Sequence, residues 1–118
     1  MLNLIFVGVG GFFGATSRYG VSQLFPDTKL HFGTLAVNLI GCLLIGIAFG
    51  FLSREAISRP AYLLLVTGFL GGFTTFSAFG LDTLKMIHDG AVADALLYVA
   101  VSAVAGAGLV AAGYELAK

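Results

Sequence analysis

Four long apolar stretches, separated by short charged connections, constrain this chain more than any other feature of its sequence. They cover approximately residues 2–19, 33–52, 61–81 and 91–116 of the 118-residue chain. Crossing the hydrocarbon core of a bilayer as a helix takes about 20 mainly apolar residues. Only 10% of the residues are charged, whereas soluble domains carry about 25%. The sequence therefore predicts an all-α membrane protein, with one domain over residues 1–118 and four transmembrane helices.

Several classes of function find no support in the composition. The six basic and six acidic residues give a net charge of zero, so no basic surface for nucleic acid is indicated. Cys42 is the only cysteine, which excludes a disulfide within one chain. No nucleophile, base and orienting group form a recognisable set. We therefore expect neither an enzyme nor a nucleic-acid-binding protein.

The basic residues are divided equally between the two sides of the predicted helices. One side carries Arg54, Arg59 and Lys118, and the other carries Arg18, Lys29 and Lys85. Orientation in the membrane follows the excess of lysine and arginine in short loops, and here there is no excess. The balance predicts a dual topology, in which two copies of opposite orientation pair about an axis in the membrane plane. The alternative is that six charges are too few for the rule to apply.

Small residues at helical spacing predict close contacts between the spans. The first span contains Gly8, Gly10, Gly11 and Gly14, the second contains Gly46-xxx-Gly50, and the fourth contains Ser102-xxx-Gly106. Such spacing lets helix backbones approach closely in lipid. Part of this packing must lie within one chain, so the spacing alone does not establish a dimer. Because four spans give little room for a pathway, we nevertheless expect an oligomer.

The third span carries an unusual run, Gly-Gly-Phe-Thr-Thr-Phe-Ser-Ala-Phe-Gly, over residues 71–80. It predicts a helix broken near Gly71–Thr75, with half-helices over residues 61–70 and 75–87. Non-helical backbone at bilayer depth is tolerated only where protein buries it or where it lines a wet cavity. Carbonyls at such a break can face a cation, and those of Gly71 and Thr74 from two copies would form a four-oxygen cage. The alternative is a simple glycine kink.

Aromatic and hydroxyl side chains follow this predicted break. Phe76 and Phe79 are three residues apart and therefore share one helix face. The edge of an aromatic ring is electropositive, so two such edges can line an anion path. Thr75 and Ser77 place hydroxyl groups in the same turns. The alternative is that the phenylalanines face lipid or only pack.

Four further polar residues are candidates for an anion pathway. The Asn38 amide offers two donors, or it forms an interhelical hydrogen bond. Arg18 either attracts anions at a vestibule or extends to the interface. Tyr98 and Ser102, four residues apart on the fourth span, either continue a polar stripe or bond to helix backbones.

The acidic residues are all expected in connections or near the ends of spans. They are Asp27, Glu55, Asp82, Asp89, Asp94 and Glu115. Transport coupled to protons or cations normally uses a charged group within the membrane. This distribution disfavours a dual-topology drug/proton antiporter. A non-conducting scaffold held together by glycine packing is the other alternative.

The motifs together resemble the CrcB/Fluc family of fluoride channels over the whole chain. They are the glycine-rich first span with Arg18, the run Gly-Thr-Leu-Ala-Val-Asn over residues 33–38, and Gly-Phe-Leu-Gly-Gly-Phe-Thr-Thr-Phe-Ser over residues 68–77. Ala78 departs from the pattern, because family members often have threonine there. One hydroxyl of the polar track is therefore expected to be missing.

The resemblance implies an antiparallel homodimer in a bacterial plasma membrane, with two pathways that let fluoride leave the cell passively. It also implies a structural sodium ion at the dimer centre, bound by the carbonyls of Gly71 and Thr74 and not transported. The residues implied for the pathway are Asn38, the phenylalanines Phe76 and Phe79, the track residues Thr75, Ser77, Tyr98 and Ser102, and Arg18 at the vestibule.

Overall fold

The computed structural model describes residues 1–25 and 31–118, and these residues form four long helical spans. The bounds are Leu2–Ser22 for the first helix, Phe32–Ser53 for the second, Arg59–His88 for the third span and Val92–Ala117 for the last helix. Each is long and apolar enough to cross a membrane, which confirms the prediction of a four-span, all-helical protein. The charges predicted at Asp27 and Lys29 lie outside the described residues.

Glycines bring the spans together in two pairs. The first helix packs along the third span, because Gly10 and Gly14 lie directly against the backbone of Leu64 and Phe69. The second helix packs along the last helix. Three glycines form that contact, with Gly46 against Val110, Gly50 against Ala117 and Gly113 against Leu43. A methyl group at any of these positions would meet another helix, so much of the predicted small-residue packing lies within one chain.

The third span consists of two segments. The leading segment comprises an α-helical turn at Arg59–Tyr62, a π-helix over Leu63–Leu70 and a helical turn at Gly71–Phe73. The trailing segment is the α-helix Phe76–His88. Between them Thr74 and Thr75 are extended, with φ and ψ of −86° and 157° and of −150° and 124°. We call these two residues the interruption.

The helical geometry is lost three residues later than the sequence predicted. Gly71 and Gly72, where the two half-helices were expected to separate, are still helical. Gly72 serves close packing instead, because a Cβ atom there would lie 2.6 Å from the carbonyl oxygen of Gly11 on the first helix.

The trailing segment ends at His88, one residue beyond the half-helix predicted over residues 75–87 and seven residues beyond the predicted end of the apolar span at residue 81. Asp82 and Lys85 were expected near or in a connection but lie inside this helix. The helix continues because Asp82 and Met86, four residues apart, are both buried on its inner face. Met86 forms a small core with Ala95 and Tyr98 of the last helix.

Candidate functional site

The interruption is held by the side chain of Asn38 on the second helix. The Asn38 Nδ2 atom donates to the Thr75 carbonyl oxygen at 3.0 Å, and the Thr75 N–H donates to Asn38 Oδ1 at 2.9 Å. The carboxamide thus pairs with Thr75 as a neighbouring extended backbone would. This pairing explains why the chain is extended at a threonine and not at the adjacent glycines.

The hydrogen bonds around the interruption redirect two helical donors. In a continuous α-helix each N–H donates to the carbonyl four residues earlier. The Thr75 N–H would therefore donate to the Gly71 carbonyl, and the Ala78 N–H to the Thr74 carbonyl. Here the Thr75 N–H bonds to Asn38, and the Ala78 N–H bonds to Thr75 Oγ1 at 3.1 Å. The carbonyls whose usual donors are redirected are therefore those of Gly71 and Thr74.

Arg18 approaches the interruption from the first helix. Its Nε atom donates to the Gly72 carbonyl oxygen at 3.0 Å, and the side chain is half-buried. Arg18 also lines a cavity of about 170 Å³ together with Thr34 and Thr75. The arginine expected at a vestibule is therefore attached by Nε to the backbone beside the interruption.

An open groove of about 550 Å³ runs past the other side of the interruption. Its lining includes Asn38, Gly71, Thr74 and Phe76. Phe76, the first residue of the trailing segment, is 83% exposed, which is a large exposure for an aromatic side chain. The groove is therefore lined by both residues whose carbonyls have lost their usual donors, Gly71 and Thr74, and by an exposed aromatic ring.

Aromatic rings connect this groove to the interior of the bundle. The Phe76 and Phe79 ring centroids are 5.8 Å apart, and those of Phe79 and Tyr98 are 5.1 Å apart. The hydroxyls of Thr75 and Ser77 lie 3.3 Å from each other beside Phe76. The structure thus brings together the aromatic and hydroxyl residues predicted on the third span, and Tyr98 joins them through Phe79.

Tyr98 and Ser102 occupy different surroundings. Tyr98 is buried, and its hydroxyl donates to Asp82 Oδ2 at 3.2 Å. Ser102 lies one turn further along the last helix and is half-buried. The two positions lie on one helix face, and the Tyr98 hydroxyl is hydrogen-bonded to a carboxylate.

A buried carboxylate is the main feature that the sequence analysis missed. Asp82 is 8% exposed, and its Oδ1 atom lies 3.4 Å from Nδ1 of His31. His31 precedes the second helix in a left-handed conformation with φ of 51°. The sequence pattern places Asp82 in a connection or near the end of a span. The spacing of Phe79, Asp82 and Met86 on one helix face is the signal that predicts this burial.

The sequence is similar to that of known proteins over nearly its whole length. A family model described as CrcB-like protein, Camphor Resistance (CrcB), matches residues 5–114. Three similar proteins are each named fluoride-specific ion channel FluC. The one from Methylobacillus flagellatus is 42% identical and covers 100% of this chain and 96% of its own. The Chlorobaculum tepidum protein is 46% identical, with coverage of 100% and 96%. The Chlorobium phaeobacteroides protein is 45% identical, with coverage of 98% and 92%.

Proposed function

The chain belongs to the CrcB-like family, and from this premise we propose that it is a fluoride-selective passive channel. It would export fluoride across the plasma membrane and so lower the cytoplasmic concentration of the ion. The observation that carries the proposal is the 42–46% identity, over nearly the full length, to proteins named as fluoride-specific channels. The four spans make this chain a multi-pass membrane protein, and the proposed activity is conduction and not catalysis.

The chemistry beside the interruption suits a small, strongly hydrated anion. A path that removes water must replace it with hydrogen-bond donors that bind the ion weakly enough to release it. Asn38 has two Nδ2 hydrogens, and the Thr75 carbonyl accepts from Nδ2 once, which leaves a second hydrogen for an anion. The Thr75 and Ser77 hydroxyls are adjacent. The electropositive ring edges of Phe76 and Phe79 add attraction without a fixed charge.

An antiparallel, dual-topology homodimer is the assembly we propose. Three basic residues on each predicted side of the membrane give the chain no preferred orientation. The groove that contains Gly71, Thr74 and Phe76 is open in a single chain, and the 83% exposed Phe76 lies on it. A second copy would cover this groove, and it would enclose the interruption inside the bilayer, where irregular backbone needs protein or water around it.

We also propose that a sodium ion sits at the centre of this dimer as a structural element. Hard cations prefer oxygen ligands. The Gly71 and Thr74 carbonyls have lost their usual donors to Asn38 and Thr75 Oγ1, so they are free to bind a cation. When bound, the ion would supply positive charge that holds two interruptions together. Fluoride would pass beside it and not through it.

Fluoride efflux from liposomes containing the purified protein tests the proposal. We expect rapid passive loss of fluoride with chloride retained in the same vesicles. No fluoride flux from a well-folded dimer would contradict the channel and favour a scaffold. Flux that requires an imposed proton gradient would instead favour a coupled transporter, and the buried Asp82 would then be the group to examine.

A further inference from the structure

The geometry points to Arg18 as a positioning residue that maintains the interruption through its Nε–H donor, and not as a source of positive charge for anions. The evidence is a contact between a side chain and a backbone carbonyl 54 residues away in sequence. The consequences for sodium and fluoride rest on the proposed function. The effect on the backbone does not.

The Gly72 carbonyl needs a donor because of where the helix restarts. In a continuous helix it would receive the N–H of Phe76. Phe76 is instead the first residue of the trailing segment. Arg18 Nε donates to the Gly72 carbonyl oxygen in place of that N–H, at a distance of 3.0 Å. A side chain that bonds to a backbone group competes with regular secondary structure for that group, so this contact favours the interrupted over the continuous helix.

Arg18 can hold this position because its own helix is fixed nearby. The first helix is in contact with the leading segment at Gly14, which lies against the backbone of Phe69, and at Gly11, which lies against Gly72. Arg18 is one turn beyond Gly14 on the same helix. The start of the side chain is therefore set by backbone packing, and the half-buried stem has a short, defined distance to reach.

Arg18 holds the chain just before the interruption, and Asn38 holds Thr75 within it. Arg18 binds the Gly72 carbonyl from the first helix, and Asn38 binds both backbone groups of Thr75 from the second helix. Between them, these side chains determine which carbonyls remain for another ligand. Loss of the Arg18 contact would let Gly72 recapture the Phe76 N–H, which would lengthen the helix and move the carbonyls of Gly71 and Thr74.

Three substitutions separate the donor of Arg18 from its charge. In Arg18→Gln, the amide Nε2 lies the same number of bonds from Cα as the arginine Nε, so the donor is kept and the charge is removed. In Arg18→Lys the charge is kept, but a methylene group occupies the position of Nε. Arg18→Met removes both properties at similar length. Positioning through Nε predicts that only the glutamine variant resembles the wild type.

The first measurement is the melting temperature of the purified protein in sodium-free buffer, because it does not depend on the proposed function. We expect Arg18→Gln to match the wild type. Arg18→Lys and Arg18→Met should melt about 5 °C lower, as expected for the loss of one hydrogen bond in a chain of this size. Arg59→Gln is the matched control, because Arg59 is an exposed arginine outside the site. It should change nothing.

The second measurement compares the variants with sodium and with N-methylglucamine. We expect sodium to raise the melting temperature of the wild type and of Arg18→Gln, and to have little effect on the other two variants. Fluoride efflux should follow the same order, with Arg18→Lys and Arg18→Met about fivefold slower, the factor given by the loss of one uncharged hydrogen bond.

Two results would overturn the inference. One is that Arg18→Lys behaves as the wild type while Arg18→Gln fails, which would assign the role to charge. The other is that all three variants retain the sodium-free melting temperature. If the wild type neither responds to sodium nor conducts fluoride, the proposed function fails. The sodium-free melting temperatures still decide the role of Arg18 in that case.

Discussion

The two segments of the third span are held in this protein by opposite means. The leading segment packs closely against the first helix because glycines put no side chain between the two backbones. Gly14, for example, lies directly against the backbone of Phe69. The trailing segment is held by side chains that are present. Tyr98 contacts it twice, with its ring against Phe79 and its hydroxyl on Asp82.

This difference separates the residues that build the fold from those that shape the site. A contact between backbones leaves no room for even one methyl group, and close-packed interiors accommodate added volume poorly. A contact through polar or aromatic side chains has an energy of only about 1–3 kcal/mol. We therefore expect substitutions at the glycine contacts to destabilise the fold strongly, and substitutions on the trailing segment to cost less stability and to alter conduction.

The largest effect is expected for Gly14→Ala. The new methyl group would meet the Phe69 carbonyl, and overpacking of this kind costs about 3 kcal/mol at the upper end of its usual range. Gly8→Ala is the matched control on the same helix, because a Cβ atom at Gly8 has no heavy atom within 4 Å. Thermal unfolding in detergent should show a much lower melting temperature for Gly14→Ala and a nearly unchanged one for Gly8→Ala.

The second and last helices offer an independent repeat of this test. A Cβ atom at Gly113 would lie against the Leu43 carbonyl, whereas one at Gly108 has no heavy atom within 4 Å. Gly113→Ala should therefore be destabilised and Gly108→Ala should not. Equal melting temperatures within both pairs would mean that backbone approach does not hold the spans together. The comparison between the two segments would then fail.

Phe76→Ile is expected to abolish fluoride flux and leave the dimer intact. The residue is 83% exposed in the single chain, so little of the packing within one chain depends on it. Isoleucine removes the electropositive ring edge. Fluoride efflux from liposomes measures the loss, and size-exclusion chromatography measures the dimer.

Phe12→Ile is the control for this variant. Phe12 is also an exposed phenylalanine, at 66%, but it lies on the first helix away from the groove. Its flux should equal that of the wild type. A conducting Phe76→Ile protein would remove the ring edge from the proposed pathway.

The sequence predicts the four spans because apolar length alone determines whether a helix can cross a bilayer. It predicts a break near Gly71–Thr75 but does not identify the two extended residues, Thr74 and Thr75, within that range. Gly71 and Gly72 have the local composition of a break, but Gly72 is required for contact with Gly11. The interruption instead follows Asn38, which is 37 residues before its partner Thr75. Such a pairing depends on the tertiary arrangement and leaves no local signal.

The burial of Asp82 was unexpected for a related reason. An aspartate after an apolar stretch normally indicates the end of a span, because an isolated charge in the membrane is costly. Here Tyr98 and His31 lie on its two oxygens, and neither residue is near Asp82 in sequence. A residue type therefore predicts its surroundings only when its partners are known.

The smallest effect is expected for Tyr98→Phe. Removing the hydroxyl leaves the buried Asp82 carboxylate without one donor, which should lower the free energy of unfolding by about 1–2 kcal/mol. Tyr114→Phe is the matched control on the same helix, since within residues 1–25 and 31–118 its hydroxyl forms no hydrogen bond to another residue. Unfolding in detergent should distinguish the two variants.

Fluoride efflux from the Tyr98→Phe protein then decides between two roles for this residue. The family resemblance implies that the Tyr98 hydroxyl lies along the anion pathway, whereas in the structure it donates to Asp82. A loss of stability with flux retained would show that the Tyr98 hydroxyl has a structural role, which is to hold the trailing segment in place. A loss of flux with unchanged stability would show that the hydroxyl serves the ion, and would contradict the view that side-chain contacts secure this segment.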